Sequence, residues 1–174
     1  MKRILIVSVL LLSTYMVFSQ LIPVKWYTIE EAEKLNQQQP KKFMIDVYTD
    51  WCGWCKKMDK ETFANPFISQ YLNEHFYPVK FDAEQSNPIA FGGKSFSNAN
   101  TGARSTHEFA QLLLNGQMSY PSIAFITERL ELLGAVPGYK DPKGMEAWLV
   151  YVKEEHFKTR KFDEFMLSFK GRIQ

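Results

Sequence analysis

The stretch Phe43-Met44-Ile45-Asp46-Val47-Tyr48-Thr49-Asp50-Trp51-Cys52-Gly53-Trp54-Cys55-Lys56 decides how the rest of the chain is read. Its first half is an apolar, partly β-branched run of strand length, interrupted only by the carboxylate of Asp46. Its second half holds both cysteines of the chain, three positions apart. If residues 52–55 open a helix, their Cβ atoms lie roughly 5–6 Å apart, and small adjustments bring the thiols within disulfide geometry. A helix N-terminus also presents free N–H groups and a positive dipole end, which stabilise a thiolate at Cys52. The residues therefore point to dithiol–disulfide chemistry. A purely structural disulfide is the competing reading, but a loop this short gains little closure entropy.

Upstream lies a leader-like segment. Lys2 and Arg3 precede an almost unbroken apolar run over residues 4–12, and Val17-Phe18-Ser19 offers a small-residue cleavage pattern. We expect a signal peptide over 1–19, cleavage near Ser19-Gln20, and an exported protein, periplasmic or secreted. An N-terminal membrane anchor is the alternative, although the run is short of the ~20 residues a span requires. Cleavage removes two basic residues, so the 21 Lys and Arg of the full chain fall level with its 19 Asp and Glu. A neutral mature chain lacks the basic footprint of a nucleic-acid binder. Residues 20–174 have a length suited to one domain.

Downstream, the pattern alternates. Thr28 and Glu31 match a capping box and predict a helix to about residue 38. Strand 43–48 is followed by a helix from the cysteines to about 63 and another over 67–74, started by Asn65-Pro66. Residues 77–82 read as a strand, and 84–101, rich in Asn, Ser and Gly, as a long loop. Ser105 and Glu108 match a second capping box before a helix to about 114. Residues 121–127 and 130–136 form a hairpin about Glu128-Arg129, Asp141-Pro142 opens a helix to about 155, and Thr159 caps a last one. Phe162, Phe165, Met166 and Phe169 fall along one side of that helix. The order implies an α/β fold with a mixed central sheet flanked by helices.

Asp46 ahead of Trp51-Cys52-Gly53-Trp54-Cys55-Lys56, with Tyr120-Pro121-Ser122 entering a later strand, resembles the thioredoxin family. The likeness is to its exported members with an insertion after the second core strand, here about 84–104. It covers roughly residues 25–156 and leaves a C-terminal helical extension, about 158–171, outside. The resemblance implies that Cys52 attacks a substrate disulfide and Cys55 resolves the mixed disulfide. It implies a buried Asp46 that moves the Cys55 proton, with Lys80 on the next strand as its partner. It implies that Pro121 is cis, that the Tyr120 backbone aligns a client as an added strand, and that Trp51, Gly53 and Trp54 border the client. A water-facing Asp46 and a trans Pro121 are the bland alternatives.

Gly53-Trp54 matches neither the Gly-Pro of cytoplasmic reductases nor the Gly-His of eukaryotic isomerases, so the redox direction stays open. The indole of Trp54 either joins a docking rim or shields the disulfide. A covalent haem site lacks the histidine after Cys55, and His75, His107 and His156 show no paired spacing for zinc. No metal or organic cofactor is expected beyond the Cys52–Cys55 disulfide. The expected partners are protein thiols and disulfides, with a membrane thiol shuttle as electron donor and no nucleic acid; a monomer is expected. A second function class is a client-holding module acting at the Tyr120-Pro121 groove, with Phe91 and Phe96 of the long loop covering it.

Overall fold

The computed structural model describes residues 22–99, 102 and 104–173. The expected leader and its cleavage point at Ser19-Gln20 lie outside the described residues. Thr28 caps α1 (Ile29–Gln38): its hydroxyl accepts from the Glu31 N–H, and the Glu31 carboxylate accepts from the Thr28 N–H. The apolar run then forms β1 (Lys42–Tyr48). Cys52 begins α2 (Gly53–Met58), which continues through a wider π turn at Asp59–Phe63. Asn65 caps α3 (Pro66–His75), which leads straight into β2 (Phe76–Asp82). After an inserted hairpin, β3 (Ile89–Phe91) and β4 (Lys94–Phe96), come α4 (Glu108–Leu113), β5 (Ser122–Ile126) and β6 (Leu132–Pro137). Asp141 caps α5 (Pro142–Lys153), and α6 (Phe162–Met166) follows.

The main sheet has the order β2-β1-β5-β6. β1 and β2 are parallel across the α2–α3 crossover, while β1–β5 and β5–β6 are antiparallel. Helices cover both faces, which is why β1 is buried along most of its length instead of alternating. The side chains still divide by the period of two. Phe43, Ile45, Val47, Val79, Phe81, Ala124 and Ile126 form one core with α1, α4 and β3. Met44, Phe76, Ile123 and Phe125 form the other with α3 and α5. Asp46 shares the parity of Met44, so its carboxylate lies on the side of the sheet that carries α2 and α3.

Several expectations change. Residues 84–101 are not a structureless loop: β3 and β4 pair antiparallel, Ile89 with Phe96 and Phe91 with Lys94, around Gly92-Gly93. Both glycines have positive φ, +59° and +73°, as a tight two-residue hairpin turn requires. The hairpin leans on α1, whose Glu30 and Glu33 accept hydrogen bonds from the Ala90 and Gly92 N–H groups. Phe91 is buried in the core, so its ring is not free to cover the Tyr120-Pro121 groove, and Phe96 packs against that same core. The cap of α4 is His107, not Ser105: its Nδ1 accepts from the Phe109 N–H at 3.1 Å. Thr159 ends a short 3₁₀ turn, and α6 begins only after Lys161. Phe165 of α6 is buried, whereas Met166 turns to solvent.

Candidate active site at Cys52 and Cys55

The end of β1 delivers the cysteines to the rim of the sheet. Cys52 and Cys55 are joined by a disulfide with a Cα–Cα separation of 5.3 Å. Cys52 is the N-cap of α2, and its Sγ accepts from the Cys55 N–H at 3.1 Å. A sulfur so placed faces the free N–H groups of a helix start, which favour the thiolate once the bond is reduced. Both cysteines are buried, with Cys55 the more enclosed. Gly53 has open space where a Cβ would stand, so packing does not demand glycine there.

Behind the pair, β1 and β2 bring Asp46 and Lys80 opposite each other. Asp46 is 0% exposed, which excludes the water-facing alternative. Lys80 Nζ donates to Asp46 Oδ2 at 2.7 Å, while Asp46 Oδ1 has no partner. Burial pushes the Asp46 carboxyl up to about 6, with the Lys80 charge pulling the other way. For Lys80 burial alone would lower the pKa, but Asp46 and Asp59 together hold it above the ordinary lysine value.

Asp59 is the residue that sequence reasoning missed. Its carboxylate also accepts from Lys80, and it lies four positions after Cys55, the i,i+4 spacing that places both on one helix face. The rings of Trp26, Tyr48 and Phe63 lie 5.0–5.5 Å from the Lys80 ammonium. An open cleft of about 400 Å³, lined by Trp26, Phe63, Asp59 and Lys80, joins this cluster to solvent.

In front of the pair, the Tyr120–Pro121 peptide bond is cis. The Pro121 carbonyl accepts from the Gly138 N–H, whereas the main-chain N–H and C=O of Tyr120 have no backbone partner among the described residues. Trp51 is 53% exposed and meets Tyr120 edge-on at 6.1 Å. Its indole N–H donates to the Glu84 carboxylate at 3.0 Å, and the Arg104 guanidinium lies 5.0 Å from its ring. Trp54, 58% exposed, turns the other way to Tyr139 at 5.5 Å, and Lys57 sits over both rings. Glu84, Arg104 and Tyr139 thus join the rim; no spacing in the sequence marks them.

A mixed sheet with a CxxC disulfide at a helix start and a cis-proline strand opposite defines a thioredoxin-fold protein with a dithiol–disulfide pair. A family model described as Thioredox_DsbH, a protein of unknown function (DUF255), matches residues 9–129. The chain belongs to that family. Over 43 residues it is 46% identical to the thiol:disulfide interchange protein DsbD of Haemophilus ducreyi, a stretch that is 25% of this chain and 8% of that protein. Among solved structures it is similar to a DsbH oxidoreductase, with TM-score 0.53, 21% identity, and coverage of 80% of this chain and 88% of that one. It is likewise similar to a thioredoxin from Thermus thermophilus, with TM-score 0.55, 17% identity, and coverage of 75% and 88%.

Proposed function

We propose that this chain is a thiol–disulfide oxidoreductase of the cell envelope, acting as a reductase or exchange partner for disulfides in polypeptide clients. The observation that carries the reading is Cys52 placed as the cap of α2, disulfide-bonded to Cys55 and backed by the buried Asp46. In the reduced protein the Cys52 thiolate attacks one sulfur of a client disulfide. A Cys52–client bond forms, the client S–S bond breaks, and the electron pair leaves on the second client sulfur, which takes a proton. Asp46 then accepts the Cys55 proton, the Cys55 thiolate attacks Cys52 Sγ, and the client departs as a dithiol. Two electrons have moved to the client, and the protein is left with the Cys52–Cys55 bond.

A carboxyl with a pKa of about 6 suits that proton transfer near neutral pH. The free N–H and C=O of Tyr120 support an extended client chain paired beside β5. Trp51, Gly53 and Trp54 border that chain. The electron pair travels in sulfur bonds throughout, so the reaction needs no metal or organic cofactor. The leader-like residues 1–19 support export, where disulfides persist and a membrane thiol shuttle supplies the returning electrons. No helix of the described residues is long and apolar enough to cross a membrane.

Insulin-disulfide reduction tests the reading. Cys52→Ser is expected to abolish turnover, and Cys55→Ser to accumulate a mixed disulfide with the client. Wild-type protein inert in both reducing and oxidising buffers refutes it. The exposed rings of Trp51 and Trp54 favour a second reading, a client-holding module. That reading expects Cys52→Ser to suppress client aggregation as well as wild type does.

A further inference from the structure

On the α3–α5 face, the C-terminal segment closes over a cleft of about 350 Å³. It reaches there because Glu146 of α5, almost fully buried, accepts from the backbone N–H groups of Arg172 and Ile173 at 2.6 and 3.0 Å. Gly171 permits the approach: a Cβ there would stand 2.6 Å from Glu146 Oε2. The volume falls in the ~300–1,000 Å³ range of small-molecule sites. None of the disulfide-exchange residues lines it.

Its chemistry is that of a cationic aromatic box. Phe67, Tyr71, Phe165 and Phe169 supply rings, and Arg160, Lys170 and Arg172 supply positive charge. Arg160 lies 5.0 Å over Phe165 and Arg172 lies 5.7 Å over Phe67. None of the three cations has a carboxylate within ion-pair distance among the described residues. Arg160 donates to Ser168 Oγ at 3.2 Å and lies 3.4 Å from His156 Nδ1. Of the two carboxylates in the lining, Glu146 spends both oxygens on backbone amides and Glu154 faces His156 Nε2. The three cations thus keep donors free for a ligand, whereas Glu146 is committed to the backbone.

We propose that this cleft binds a small aromatic monocarboxylate, its ring among the phenylalanines and its carboxylate on the guanidinium groups. Guanidinium forks match a planar carboxylate bidentately. Three cations against two carboxylates leave the lining with a net charge of about +1, which a monoanion balances and a dianion such as a phosphate monoester overshoots. A neutral ligand leaves the cations unanswered.

An amide-resolved NMR titration of the full chain with naphthoate, naphthamide and naphthyl phosphate tests the assignment. Naphthoate is expected to saturate with a dissociation constant below about 1 mM, shifting Tyr71, Val150 and Phe165, and the amide and phosphate to bind about tenfold more weakly. The double change Arg160→Gln with Arg172→Gln is expected to weaken naphthoate about tenfold. It leaves both residues' backbone bonds in place, Arg172 N–H to Glu146 and Arg160 C=O to Tyr151. Naphthamide binding as tightly as naphthoate to wild type overturns the proposal, whatever the variants do. So do shifts centred on Trp51 and Trp54, or a folded double variant of unchanged affinity.

Discussion

Lys80 Nζ lies 2.7 Å from Oδ2 of the fully buried Asp46, while the other oxygen of the same carboxylate is unpartnered. A half-satisfied carboxylate in a dry setting is costly when ionised, and one lysine offsets that cost only in part. The arrangement keeps Asp46 near a pKa of about 6 in place of 3.8. Stability is given up at the point where the proposed exchange calls for a proton acceptor.

The sign of the pH dependence follows. Between pH 4 and 6 the unfolded chain loses the Asp46 proton while the folded protein keeps it, so stability falls as pH rises through that window. Asp46→Asn removes the liability. The variant is expected to match wild type near pH 4 and to exceed it by about 1–3 kcal/mol at pH 7.5. Urea unfolding of the oxidised protein at the two pH values measures the difference. A variant less stable than wild type at pH 7.5 contradicts this account.

Lys80 and Asp59 pull the Asp46 carboxyl in opposite directions, the ammonium lowering its pKa and the second carboxylate raising it. Lys80→Met is therefore expected to move the acid limb of mixed-disulfide resolution to higher pH, by about one unit or more. Asp59→Asn moves it to lower pH by a smaller amount. Stopped-flow resolution of a preformed Cys52 mixed disulfide reads both. Shifts of the same sign in the two variants exclude Asp46 as the titrating group.

Phe91 distinguishes a core insertion from a mobile groove cover. Its ring meets Phe43 at 5.9 Å and Phe109 at 5.5 Å. Phe91→Ala is expected to cost about 3–5 kcal/mol by urea unfolding and to leave insulin reduction per folded molecule unchanged. A higher KM for insulin with unaltered stability restores the groove-cover reading.

What the sequence disclosed and what it hid have physical causes. The run at Phe43 and the Cys52–Cys55 spacing are local signals, and the resemblance supplied the places of Asp46, Lys80 and Pro121. The β3–β4 hairpin escaped because each strand has three residues, too few for a period of two to stand out from a polar stretch. Asp59 escaped because its partner arrives from β2, and the π turn at Asp59–Phe63 has no composition signature. The Ser105 cap failed because His107 is an acceptor too: a neutral imidazole nitrogen does the work of a hydroxyl.

That imidazole leads to the last prediction. His107 Nδ1 accepts from the Phe109 N–H, and Nε2, 3.2 Å from the Asn87 carbonyl, carries the proton, tying the insertion to α4. Protonation destroys the Nδ1 acceptor, and burial holds the His107 pKa below its ordinary value. The contribution of His107 is thus complete above the unfolded pKa of about 6.5 and is lost as pH falls through the lower folded value. His107→Asn keeps an acceptor at the cap and removes the titration. Relative to that variant, wild type is expected to lose stability between pH 7.5 and 5. Asp46 titrates in an overlapping window with the opposite sign, so the two effects partly cancel in wild type. The residues belong to opposite faces of the sheet, and their effects should add. Asp46→Asn alone is then expected to steepen the loss toward acid, His107→Asn alone to leave a gain toward acid, and the double variant to flatten the profile. Urea midpoints of the four proteins at pH 5 and 7.5 give the comparison, and a double variant as steep as either single one removes these two groups as its cause.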